Sequence, residues 1–177
     1  MSEAEKPLLI AMMGLPRSGK STIVASLSRR LGAPIVRRDA IRLALHGQRF
    51  QAKSEPMVKA ISLYMIRALF LSGHEVVICD ETNYSRATRD SLREAGWRTQ
   101  FYHVDTSPEV CKKRAVATKQ EDLIPIIDSM WARYEPLGDD EEVYNPSYRC
   151  PDCFRDDEDI TVNGHAHGCV FAHNWVG

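Results

Sequence analysis

The stretch PLLIAMMGLPRSGKST, residues 7–22, is an apolar run that empties into a loop punctuated by Gly14 and Gly19. Leu8 to Met13 reads as a short buried strand. From Ser21 to Leu31 the apolar residues Ile23, Val24, Leu27 and Leu31 recur at helical spacing. Between them, Gly14, Leu15, Pro16, Arg17, Ser18, Gly19, Lys20, Ser21 and Thr22 fit the pattern of a phosphate-binding loop, G-x-x-x-x-G-K-[ST]. The glycines allow backbone angles that let successive N–H groups face a phosphate, and the following helix adds its positive end. Lys20 is expected to reach the β- and γ-phosphates of ATP, and the Ser21 hydroxyl to take one position on Mg²⁺. A strand, this loop and a helix, in that order, predict an α/β fold of the phosphate-loop NTPase type.

Working outward, strand-like and helix-like runs alternate through residue 135. A strand over 34–37 is followed by a helical stretch over 55–71. The run GHEVVICD ends in Asp80, a helix over 85–95 closes at Gly96, and WRTQFYHVD forms the next strand. Helices over 108–116 and 123–134 complete the pattern. Strands separated by helices of this length predict a parallel sheet with helices on both faces. Asp39, Asp80 and Asp105 all follow strands, the edge at which open α/β sheets bind ligands. Asp80 is placed to help hold Mg²⁺. Thr82 and Asn83 either serve the same site or cap the next helix.

The block RRDAIR, Arg37 to Arg42, lies just beyond the second strand. A phosphoryl transferase needs a carboxylate to orient an acceptor hydroxyl and take its proton, and Asp39 is the candidate. Arg42, one helical turn on, faces the same side and is suited to grip a phosphate carried by the acceptor. Asp39 as a helix cap and Arg42 as a surface charge is the alternative.

Net charge is −1 over 177 residues, but it is unevenly spread. Residues 1–120 hold 20 Lys and Arg against 11 Asp and Glu, whereas residues 121–177 hold 3 against 13. The basic part suits anionic substrates. The opening MSEAEKP is polar, and no apolar run approaches a membrane span, so no membrane partner and a cytoplasmic location are expected. The sequence leaves the oligomeric state open.

From Pro136 the alternation dissolves, giving a kinase-like domain over 1–137, a connector over 138–149 and a small tail over 150–177. Cys79 and Cys111 are scattered and read as core. The tail crowds Cys150, Cys153 and Cys169 with His165, His167 and His173. The spacing C-x₂-C-x₁₁-H-x₃-C through Cys150, Cys153, His165 and Cys169 suits Zn²⁺, with His167 and His173 as competing fourth ligands. A redox-active or incidental C-x-x-C is the alternative.

Taken in order, GLPRSGKST, RRDAIR, VVICDETNYS, SPEVCKKRA and IPIIDSMWARYEPL resemble the kinase domain of the bacteriophage and bacterial polynucleotide 5′-hydroxyl kinases, over residues 7 to 137. The resemblance implies ATP-dependent phosphorylation of a nucleic-acid 5′-OH end, DNA or RNA, in end repair. It also implies Asp39 as general base, Arg42 on the acceptor's 3′-side phosphate, and lid arginines on the transferring group. Arg114 stands where that lid begins. Where a second lid arginine is expected the chain has Thr118 and then Lys119, and a lysine is a point charge rather than a planar fork. No D-x-D-G-T phosphatase signature follows. The same architecture serves small-molecule phosphotransferases acting on a nucleoside, sugar or antibiotic, and that is the alternative function. A nucleotide-regulated binding module is a third.

Overall fold

The computed structural model describes residues 6–93 and 96–145. The chain divides into two units, Met1–Tyr144 and Asn145–Gly177, and every element below belongs to the first. Four strands, β1 (Leu8–Met13), β2 (Ile35–Arg37), β3 (Val76–Asp80) and β4 (Arg98–His103), pair in parallel in the order β2-β3-β1-β4. The helices are α1 (Lys20–Leu31), α2 (Arg38–His46), α3 (Glu55–Leu71), α4 (Arg86–Arg93), α5 (Pro108–Ala117) and α6 (Ile124–Trp131).

Strand β1 is central because it is apolar on both of its faces. Successive side chains of a strand point to opposite sides. Leu9 and Ala11 accordingly pack with Val58 and Ile66 of α3, Leu92 of α4 and Phe101. Ile10 and Met12 pack on the other side with Val24 and Leu27 of α1, Ile78 and Tyr102. A parallel sheet survives only when both faces are covered in this way. Each fully buried Leu, Ile or Met here contributes about 1.5–3 kcal/mol of transfer free energy.

The expected elements are present, with the parallel sheet and two-sided helical cover that the alternation predicts. Helix α4 ends at Arg93, and Gly96, the expected cap, takes a left-handed φ of 87°. The helix predicted over 123–134 is shorter, because a 3₁₀ turn at Glu121–Leu123 precedes α6 and Pro125 stands in its first turn. Helix α5 opens on Pro108 behind Ser107, whose Oγ accepts from the Val110 amide at 3.4 Å.

Part of the stretch read as a connector lies along the outer edge of β4. The Phe101 amide donates to Glu142 O at 2.8 Å, and the Tyr144 amide donates to Phe101 O at 2.9 Å. Next to it, Glu141 meets Arg89 of α4 in a two-pronged ion pair with both side chains fully buried. Charge therefore holds this segment where the apolar pattern of the sequence has run out. The proposed zinc ligands Cys150, Cys153, His165 and Cys169, with His167 and His173, lie outside the described residues. Among the described residues, no helix is long and apolar enough to cross a membrane.

Candidate active site

The carboxyl edge of the sheet gathers the candidate residues, because β1, β2 and β3 all end there in parallel. After β1 the chain turns through Gly14, with φ 148°, and Gly19, with φ 105°. A Cβ on Gly14 would lie 2.9 Å from Val104 O, so this turn requires glycine on contact as well as on φ. The loop is pinned at both shoulders: the Gly14 amide donates to Thr82 O at 3.0 Å, and Thr106 Oγ1 donates to Ser18 O at 2.9 Å. Leu15 anchors it below, packed with Cys111 and Ala115 of α5 and Ile127 of α6. Helix α1 starts at Lys20 with no side chain capping it and no acidic residue in its first turn. The Thr22 amide donates to Gly19 O at 3.1 Å, and the amides of Lys20 and Ser21 before it are left to an anion.

Lys20 is almost fully buried and folds back over the loop. Its Nζ donates to Leu15 O at 2.6 Å, Gly14 O at 2.9 Å and Ser18 Oγ at 3.4 Å. Burial pushes this ammonium down to about 8, opposed by the negative charges of Asp80 and Asp39. Arg114, on α5, reaches the same loop and donates from Nη1 to Ser18 O at 3.0 Å and Arg17 O at 3.3 Å. The structure thus brings Arg114 to the phosphate loop. Lys119 is exposed, in a left-handed conformation (φ 53°) just past the end of α5.

Ser21 Oγ donates to Asp80 Oδ2 at 3.2 Å, so the two residues expected to hold Mg²⁺ face each other. A hydroxyl and a carboxylate beside an uncapped helix start form an oxygen donor set suited to a hard cation shared with phosphates. Arg37, the last residue of β2, is paired in register with Asp80 and donates from Nε to the same Oδ2 at 3.1 Å.

On the far side of Asp80 lies the start of α2. Asp39 occupies its first turn with an 82% exposed side chain and accepts from Arg42 Nη1. Asp39 is not the cap of that helix; Arg37 holds the capping position. The other side of the Arg42 fork is turned away, with Nε and Nη2 donating to Glu55 Oε1 and Oε2 at 2.7 and 2.8 Å. These bonds hold the Glu55 carboxyl below its usual range. One residue before Asp39, Arg38 pairs with buried Glu81 at 2.7 Å, and Ser62 Oγ donates to Glu81 Oε1 at 3.0 Å. Glu81 Oε2 and Arg38 Nη2 are buried without hydrogen-bond partners among the described residues.

Asn83 does not cap α4. Its Nδ2 crosses to Met12 O at 2.8 Å and so ties the turn after β3 to the end of β1. Cys79 is fully buried, and burial pushes its thiol well above the usual value, so it is inert core, as its apolar setting suggests. Sequence reasoning missed Arg37, Glu55 and Glu81. For Arg37 the signal was available, since it precedes Asp39 at the end of a strand adjoining Asp80. Glu55 lies thirteen residues from Arg42, and nothing in the chain announces their meeting.

Across known proteins, the chain is 26% identical over 151 residues to the gluconokinase of Gluconobacter oxydans (strain 621H), covering 80% of this chain and 83% of that one. Among solved structures it is similar to a sugar kinase from Janibacter sp. HTCC2649, at 25% identity and a TM-score of 0.59, covering 78% of this chain and 83% of the other. It is also similar to a chain of the Pnkp1/Rnl/Hen1 complex, at 26% identity and a TM-score of 0.56, over 62% of this chain but only 39% of that one. A family model described as AAA domain matches residues 9–137, which takes in the site just described and, but for Leu8, the strands and helices named above; the chain belongs to that AAA-domain family.

Proposed function

We propose that this protein transfers the γ-phosphoryl group of ATP to a hydroxyl of a small hydroxylated acceptor of the sugar or sugar-acid class. The observation that carries the reading is the pairing across Asp80: a phosphate loop with Lys20 and Ser21 on one side, and an exposed carboxylate, Asp39, on the other. A carboxylate so placed takes the proton as the acceptor oxygen attacks, which contributes about 10²–10⁴ in rate. Lys20 turns from the loop carbonyls to the β- and γ-phosphates, and Arg114 meets the charge on the transferring group from the α5 side. Ser21 and Asp80 would hold Mg²⁺, which supplies neutralising charge between the phosphates when bound. Arg42 orients Asp39.

Two observations favour a small acceptor over a nucleic-acid end. Two of the Arg42 donors are committed to Glu55, so the planar fork needed to grip an acceptor phosphate is largely taken. The likeness to a gluconokinase and to a sugar kinase also runs over most of both chains, whereas the likeness to chains of the Pnkp1/Rnl/Hen1 complex covers only 39% and 51% of those chains. Phosphorylation of a polynucleotide 5′-OH is the second reading, supported by the basic cluster Arg37, Arg38 and Arg42 beside Asp39 and by that same complex.

The test is transfer from γ-labelled ATP to gluconate, neutral sugars, 3′-phosphonucleosides and 5′-OH oligonucleotides, with Asp39→Asn alongside. The proposal expects a sugar or sugar acid to be the preferred acceptor. Asp39→Asn should then lose about 10²–10⁴ in rate while still binding nucleotide. Preference for 5′-OH oligonucleotides would transfer the assignment to the second reading. Full activity of Asp39→Asn would remove Asp39 as the base under either.

A further inference from the structure

Asp80 Oδ2 has two donors: Ser21 Oγ at 3.2 Å and Arg37 Nε at 3.1 Å. The first is the other oxygen expected on the metal; the second is a cation. We propose that Arg37 stands in for the metal ion in the nucleotide-free protein. It holds the Asp80 carboxylate by the same oxygen that takes the Ser21 hydroxyl, and it would be displaced toward the acceptor side when the metal–nucleotide complex arrives.

The argument rests on position and on charge. Arg37 and Asp80 are register partners at the ends of adjacent strands, so the guanidinium reaches the carboxylate without any loop having to move. The Asp80 side chain is 8% exposed while that of Arg37 is 39% exposed. The carboxylate therefore stays where it is and the arginine has solvent to swing into. A nearly buried carboxylate without a counter-charge is costly, and Arg37 removes that cost in the absence of metal. A guanidinium held at that carboxylate repels a divalent cation brought to it, so the two compete. The chain direction then gives the competition a use. Arg37 leads directly into Arg38 and Asp39, so a guanidinium leaving Asp80 joins the acceptor side of the site. Nucleotide binding would thereby add a cation where an anionic acceptor lands, which couples the two substrates.

This inference rests on the reading that Ser21 and Asp80 hold Mg²⁺, and the experiment separates the two. Binding of the non-hydrolysable analogue AMPPNP is titrated by calorimetry at a series of Mg²⁺ concentrations for wild type, Arg37→Gln and Arg37→Lys, with thermal melting to confirm folding. Loss of one charge-assisted contact predicts that Arg37→Gln needs about tenfold less Mg²⁺ for half-maximal affinity. Arg37→Lys, which keeps a cation but not the fork, should fall between. An unchanged or higher Mg²⁺ requirement in a folded Arg37→Gln overturns the stand-in role and leaves the metal site in place. Nucleotide affinity independent of Mg²⁺ in the wild type overturns the metal site, and this inference with it.

Discussion

Lys20 shows how a single residue links burial to ligand chemistry. Its ammonium donates to loop carbonyls, yet burial lowers it to about 8 from a normal 10.5. A bound triphosphate surrounds it with negative charge and must raise it again. The sign follows. Below pH 8 the lysine is already charged and binding is proton-neutral, whereas above it the free protein has lost a proton that the complex restores. Nucleotide binding near pH 9 should therefore take up close to one proton, and affinity should fall as pH rises past 8. Calorimetry in two buffers of different ionisation enthalpy reads this directly; a heat independent of buffer would contradict it. The same residue marks what the sequence discloses well. Gly14, Gly19, Lys20 and Ser21 were legible because a loop that wraps phosphate constrains consecutive residues, and consecutive residues can be read.

Elements carry what single residues do not announce. The outer edge of β4 is covered by residues near 141–144, and the fastening is Arg89 on α4. Its Nε and Nη2 meet Glu141 at 2.7 and 3.0 Å, and its remaining donors reach Asn83 O, Glu135 O and Pro136 O. One buried guanidinium thus gathers the turn after β3, the end of the α6 region and the β4 edge. Removing one member of a fully buried pair leaves the other uncompensated, so Glu141→Gln should destabilise the fold by about 3 kcal/mol. Urea denaturation measures it, and a loss below about 1 kcal/mol would show that water repays the charge. This fastening was hidden in the sequence. Glu141 lies within the acidic run DDEE, which reads as a solvated surface, and its partner is 52 residues away. Helices and strands were visible because their apolar periods are local. The cross-chain ion pairs Arg42–Glu55, Arg38–Glu81 and Arg89–Glu141 were not, because charge carries no period.

At the scale of the whole molecule, the uneven charge of the sequence takes on a direction. Residues 1–120, with 20 basic against 11 acidic side chains, supply nearly all of the site, including Arg37, Arg38, Arg42, Lys20 and Arg114. An anionic acceptor approaching that edge is drawn by a field that salt screens over about 8–10 Å. The KM for a sugar acid should therefore rise by roughly threefold between low and physiological ionic strength, while that for the matching neutral sugar stays flat. Steady-state kinetics on the two acceptors decides it, and equal salt effects would show that the field plays no part in capture.

The strand order β2-β3-β1-β4 has a consequence for how such a protein can change its diet over time. Strand β1 delivers the nucleotide's loop and β2 delivers Asp39, and β3 separates them by about 10 Å, two strand spacings. Asp80, at the tip of that middle strand, hydrogen-bonds to both, to Ser21 on one side and Arg37 on the other. If Asp39 serves as the base, changes in α2 and α3 would bear first on the acceptor and less on the loop that holds the phosphate. A lineage built on this plan can try new acceptors while its energy source is held fixed.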